Sequence, residues 1–316
     1  MTTLTGGVAR VKQRLGDRVF SKLSVSAGII ILIALALVAI FLIQQSVPGF
    51  TTTDPKTLAT TLATKGIWAY ALPLAFGTVW AAALALVMAF PISVGIALFI
   101  SHFAPRRLAQ LLGYIIDLLA AIPSVVFGLW GIFILAPDVL PIYVWLEKNL
   151  GWIPLFSGPV SATGRTILTA SIVLGVMIIP IMTAMCREVF LQTPRLHEEA
   201  ALALGATQWE MIRIAVFPFG RSGMISAAML GLGRALGETM AVALVLSPAS
   251  VISFALLTSE NPSTIAANIA LNFANSSGIS VNQLIATGLV LFVITLLVNS
   301  VARYVVNRRK AFSGAN

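Results

Sequence analysis

The sequence predicts an all-α, polytopic membrane protein with about six transmembrane helices. Three observations predict it. Of 316 residues, 58% are hydrophobic and only 10% are charged, where soluble domains carry about 25% charged residues. The apolar residues gather into six runs, roughly 24–46, 70–101, 108–136, 166–189, 221–247 and 281–302. Each is long enough to cross the hydrocarbon core, which takes about 20 helical residues. Finally, Lys and Arg alternate in density from one inter-span segment to the next.

The first run follows a basic stretch holding Arg10, Lys12, Arg14, Arg18 and Lys22. It is longer than a signal-peptide core and no small-residue cleavage site closes it, so it reads as a retained span. The second run is long enough to tilt, with Pro91 as a candidate kink. In the third, Ile122–Pro123–Ser124 should break or bend the helix, a pattern that marks cavities in membrane proteins. The segment 137–165 is rich in Pro and carries Trp145 and Trp152, while 248–280 is rich in Ser, Asn and Ala. Both read as outer loops with interfacial aromatics. With the N-terminus inside, fifteen Lys and Arg fall on the inner side and Lys56, Lys65, Lys148 and Arg165 on the outer. That bias places both termini in the cytoplasm. The expected organisation is a tail over 1–23, a permease domain over 24–302 and a tail over 303–316.

Several function classes fall away. The net charge of +9 is spread in short clusters between apolar runs and offers no basic face for nucleic acid. Cys186 is alone, and with His102 and His197 it supplies too few soft ligands for a structural zinc site. A hydrolase would need a nucleophile with a histidine in reach, and both histidines flank inner loops. A proton-driven secondary transporter working through Asp117 and Glu238 is an alternative, but such chains often show related halves, and none is visible.

The loop between the fourth and fifth runs is the most structured polar part of the chain. Thr193 is a candidate N-cap with Pro194 at the first helical position. Gly205 stands where a left-handed residue ends a helix. Thr207 and Glu210 form a capping box that opens a second helix, which Pro218 should stop. Ala200, Ala201, Ala203 and Gly205 would let another protein approach the backbone closely; the alternative is a capped hairpin that merely links two spans.

The fifth run contains Arg234 and Glu238 in GRALGETMAV. A charge at mid-membrane costs about 2.5–3.5 kcal/mol, so such groups pair or face a water-filled path. On a continuous helix the two lie one turn apart and can bridge. Arg234 offers bidentate donors to an oxyanion, and Glu238 can neutralise it or accept from a protonated anion. The alternative is an ion pair that only fixes packing. Gly231, Gly233 and Gly237 flank the pair, allowing close packing or room for a small solute. Asp117 could line the path, or snorkel and pair with an inner arginine.

These residues carry a resemblance. The inner loop resembles the EAA loop of ABC-importer permeases in Glu199, Ala200, Ala201, Gly205 and Pro218, with Ala215 and Phe217 departing from the pattern's Ile and Leu. It implies a coupling helix, about 194–218, seated on a cytoplasmic ATPase. The chain has no G-x-x-x-x-G-K-[ST] loop, so ATP would be used by a separate subunit, with no cofactor and no metal bound here. Together with AAIPSVVFGLWG and GRALGETMAV, the loop resembles the PstC-type permeases of phosphate-specific ABC importers over about residues 25–305. The sister sulfate and molybdate permeases share the R-A-L-G-E core. The resemblance implies a type I ABC importer fold and a non-catalytic subunit in a heterodimer with a similar permease. It also implies an ATPase dimer, an external phosphate-binding protein, and Arg234 and Glu238 as the pair tied to phosphate passage.

Overall fold

The computed structural model describes residues 15–54 and 58–310. Arg10, Lys12, Arg14 and Lys56, which contribute to the charge asymmetry, lie outside them. Helix α1 spans Leu15–Thr51. Helix α2 spans Ile67–Leu98 and runs on through a π turn, Phe99–Phe103. Helix α3 is Arg106–Ala120, and α4 is Ser124–Trp130. A π turn over Gly131–Leu135 leads from α4 into α5, Ala136–Leu150. Helix α6 is Ile167–Leu191. The inner loop holds α7, Arg195–Ala203, and α8, Gln208–Met211. Helix α9 is Phe217–Gly237 and α10 is Met240–Val245. Helices α11, Ile265–Asn272, and α12, Ile279–Lys310, complete the chain. Among the described residues six helical segments are long and apolar enough to cross a membrane.

One expected break forms and two expected boundaries shift. The third run is not one helix: it divides at Ala121–Pro123, because Pro123 holds an extended backbone (ψ 139°) where the helix would need to continue. The outer segment 137–150 is helical and continues that span to Leu150. The fifth run starts earlier, since α8, a π turn over Ile212–Val216 and α9 form one continuous helical segment, Gln208–Gly237. Pro218 therefore does not stop the second inner-loop helix. The Phe217 N–H reaches back to the Ile212 carbonyl, and this wider turn precedes the residue that lacks an N–H.

Helix α6 is the axis of the bundle. It packs against α2 and α9, and two-thirds of its span is buried (67%), whereas none of the most apolar stretch of α1 is. The contact with α2 is made by small residues: Ala81, Ala82, Ala85 and Ala89 meet Leu174, Met177 and Ile178. On the α9 side, Gly231 leaves so little room that a Cβ would lie 2.9 Å from Met182 Cγ. Membrane helices gain nothing from water exclusion against lipid, so close van der Waals packing through small residues holds them. Helix α1 rests on α12, where the Asn282 amide donates to the Gln45 carbonyl at 2.6 Å. Its exposed apolar flank needs lipid or another subunit.

One end of the bundle is closed by two loops knitted together. The Leu256 N–H donates to the Leu155 carbonyl, and that of Ser161 to the Leu257 carbonyl, both at 2.8 Å. A short parallel bridge pairs Pro248 with Asn261. Phe254 sets its edge on Phe76 and Trp80, with ring centroids 4.9 and 5.4 Å away. Helix α2 meets this cap at Gly77 and Thr78. The Thr78 hydroxyl accepts from the Ile265 N–H at 2.9 Å, and a Cβ on Gly77 would overlap the Ser263 carbonyl oxygen and stand 2.8 Å from that of Pro262. Gly77→Val should therefore destabilise the protein by about 1–3 kcal/mol, the usual cost of overpacking. The check is a lowered midpoint of thermal unfolding in detergent; an unchanged midpoint would mean that the cap yields freely.

Candidate functional site

The two charges of the fifth span do not sit on one helix face. Helix α9 ends at Gly237, and Glu238 takes an extended backbone, φ −68° and ψ 130°. The one-turn relation needs an unbroken helix, so the expected bridge between Arg234 and Glu238 is absent. Instead the Glu238 carboxylate accepts from the Ala241 N–H at 3.1 Å, inside the first turn of α10. Glu238 is buried, 8% exposed. Arg234 is half-buried in the last turn of α9. Among the described residues its side chain has neither a hydrogen bond nor an ion pair. The flanking glycines divide their work. Gly231 packs on α6, whereas a Cβ on Gly233 or Gly237 would meet nothing within 4 Å. The result is a free guanidinium beside open space at a break between two helices. Half-helix ends of this kind supply ion and substrate sites in membrane proteins.

Helix α10 is only six residues long, so its unpaired end groups matter. At its far end Arg165 Nη2 donates to the Leu244 and Leu246 carbonyls, each at 3.1 Å. Its sides are set by glycines on the third span. A Cβ on Gly128 would come within 2.9 Å of Ala241 Cα, and one on Gly131 within 2.7 Å of Val245 Cγ2. Sequence reasoning had counted Arg165 only as an outer charge; its partners lie about eighty positions away, beyond any local signal.

Asp117 lies on the exposed face of α3 and makes no ion pair among the described residues. One turn back, Gly113 receives Arg187 of α6. A Cβ there would lie 3.0 Å from Arg187 Nη1 and 3.2 Å from its Cζ. Arg187 thus packs over α3 without pairing with Asp117.

The inner loop shows two faces. Ala201 is buried with Phe190, Met211, Ile212 and Val216, while Glu199 and Ala200 are exposed. Gly205 has φ +86°, as a helix-ending left-handed residue should. The capping box of Thr207 and Glu210 is complete. Thr193 does not cap: Pro194 takes the cap position, and the buried Thr193 hydroxyl has no partner among the described residues. Pro218 is exposed at the start of α9. The loop is tied back to α2, where His102 Nε2 stands 3.4 Å from Glu198 Oε1 and the Gln208 amide donates to the His102 carbonyl at 2.9 Å. Leu204, which the motif does not include, is 90% exposed at the tip, with Leu196 at 76%. The tip of the loop thus presents two large apolar side chains on an otherwise polar surface.

Six candidate spans, with a helical loop between the fourth and fifth, make up the fold. The solved membrane component of the MetNI methionine ABC transporter, in an inward-facing conformation, has this fold: TM-score 0.55 at 15% identity, over 76% of this chain and 95% of that one. The chain belongs to the family of binding-protein-dependent transport system inner membrane components, whose model matches residues 89–311. It is similar to the phosphate transport system permease protein PstC 2 of Mycobacterium tuberculosis, 47% identical over 92% of this chain and 91% of the relative. The phosphate transport system permease protein PstC of Mesorhizobium japonicum is 37% identical over 95% of this chain and 93% of the relative. This is a multi-pass inner-membrane protein with the type I ABC importer permease fold.

Proposed function

We propose that this chain is one permease subunit of an ATP-driven importer of inorganic phosphate, with both termini in the cytoplasm. The observation that carries the reading is Arg234, a cation without a partner among the described residues, set beside open space at the break between α9 and α10. A guanidinium fits an oxyanion with bidentate charge-assisted hydrogen bonds. The names of the relatives support phosphate over sulfate or molybdate.

The subunit itself performs no chemistry and binds no cofactor. A similar second permease would complete the pathway, an external phosphate-binding protein would deliver the anion, and lipid would surround the pair. A cytoplasmic ATPase dimer would seat against Glu199, Ala200, Leu204 and Gly205 at the tip of the loop. Ala201 and Pro218 tie that loop to the spans. Movement of the loop would pass through the continuous segment Gln208–Gly237 to Arg234. Glu238 would hold the break open and remain available to a protonated anion. Asp117 would face the second permease or the lipid from α3.

Uptake of labelled phosphate in cells lacking their own system tests the reading. The cells would express this chain with its co-encoded partners. The expected result is uptake that requires ATP and withstands excess sulfate and molybdate. Uptake blocked by either competitor would assign a sister oxyanion. Uptake that survives ATP depletion but fails when the proton gradient collapses would make the chain a secondary transporter.

A further inference from the structure

We infer that Arg165 is a positioning residue of the transport path: it pins the far end of α10 and thereby holds Glu238 and the helix break in place. The inference rests on the proposed role of the α9–α10 break. Helix α10 has six residues, too few to satisfy its own ends. An α-helix leaves its first N–H groups and last carbonyls without internal partners, and within a membrane such groups find no water. Both ends of α10 are met by ionisable side chains. At the start, Glu238 accepts from the Ala241 N–H at 3.1 Å. At the end, Arg165 donates to the Leu244 and Leu246 carbonyls at 3.1 Å each. The signs match the helix dipole, anion at the N-terminus and cation at the C-terminus.

Arg165 is itself firmly anchored. It precedes α6, the axis of the bundle. On one side of it Thr166 caps that helix by accepting from the Thr169 N–H at 3.2 Å. On the other, Gly164 has φ +68° and lies so close to Ala136 that an added Cβ would overlap the carbonyl oxygen. The Arg165 backbone is therefore fixed between the third and fourth spans. Its side chain crosses to the fifth, and no carboxylate of the described residues neutralises it. Among the described residues Arg165 Nε is buried without a partner, and the hydrogen bonds of this side chain go to the end of α10. Losing them frees α10 at the end that faces the outer cap, and the turn holding Glu238 loses its far support.

The test uses the complete transporter in proteoliposomes and a Val242→Cys reporter. Val242 lies within α10 and is buried, 1% exposed, and the native Cys186 is buried as well. A membrane-impermeant thiol reagent is added on the side of the binding protein. With Arg165→Met, the labelling rate at position 242 should rise about a hundredfold or more, the factor expected when two hydrogen bonds from a charged donor are lost. Arg165→Lys, which keeps a donor, should restore most of the protection. Uptake should fall in step, while ATPase association stays unchanged because the inner loop is untouched. Comparison of labelling rates in Arg165→Lys and Arg165→Met at equal thermal midpoints removes misfolding as the cause.

Unchanged labelling in Arg165→Met would overturn the inference, whatever happens to uptake. Raised labelling that Arg165→Lys does not reduce would also overturn it, since the effect would not run through donated hydrogen bonds. If the protein proves to carry another anion, the labelling result still stands; if labelling is unchanged while phosphate uptake is normal, only the positioning role falls.

Discussion

Arg234→Ala is expected to abolish phosphate uptake while the chain remains inserted and assembled. The guanidinium has no partner within the described chain, so its removal breaks no hydrogen bond that holds the fold. What it removes is the cation that a phosphate oxyanion would meet at the break between α9 and α10. Hydrogen bonds to charged groups are worth about 1.5–3 kcal/mol each. Losing a bidentate pair should slow transport by about a hundredfold or more, at roughly 1.4 kcal/mol per factor of ten. Arg234→Lys keeps the charge but not the planar fork, so it should fall between the two. Initial rates of labelled-phosphate uptake, with co-purification of the ATPase as the assembly control, decide the matter. Wild-type uptake by Arg234→Ala would remove Arg234 from the pathway.

Leu204→Asp should cost as much by a different route. Leu204 stands 90% exposed at the tip of the inner loop, so a carboxylate there disturbs nothing within the chain. In a groove of the ATPase, a central apolar anchor is worth about 2–4 kcal/mol, and a buried unpaired charge adds to the loss. The expected outcome is a transporter that inserts normally, releases its ATPase on purification and no longer accumulates phosphate. Ala201→Asp is the contrasting variant. Ala201 is packed among Phe190, Met211, Ile212 and Val216, so this change should lower the amount of folded chain. Retention of ATPase and uptake by Leu204→Asp would move the docking surface elsewhere.

Different parts of the EAA pattern thus act through different physics. Glu199 and Ala200 face outward, Ala201 faces the bundle, and Gly205 supplies a left-handed turn. A motif read as one string gives no hint of this division, because spacing along a short helix fixes which residues share a face but not which face is covered. Leu204 escaped the sequence reading for the same reason. Leu204 alternates with alanines and Leu202 in this segment, and only the neighbouring elements show it projecting from the end of the molecule.

Sequence alone determined the features that local chemistry controls. Six spans follow from apolar length and the scarcity of charge. Pro123 had to break the third span, because it lacks an N–H and disfavours helical backbone before it. Gly205 and the Thr207–Glu210 capping box are contacts within a few residues, and both formed as their types require. Only the tertiary structure decided the remainder. Pro218 was absorbed by a π turn instead of ending a helix. Thr193 gave up its cap position to Pro194. Arg234 and Glu238 parted because the chain leaves the helix at Glu238, whose carboxylate takes the Ala241 N–H. Beyond that break, α10 is held by Gly128, Gly131 and Arg165 from distant parts of the chain. A break of this kind costs hydrogen bonds within its own segment and is stable only where remote groups replace them. Neighbouring residues in the sequence cannot record that replacement; the packing of the third, fourth and fifth spans against one another does.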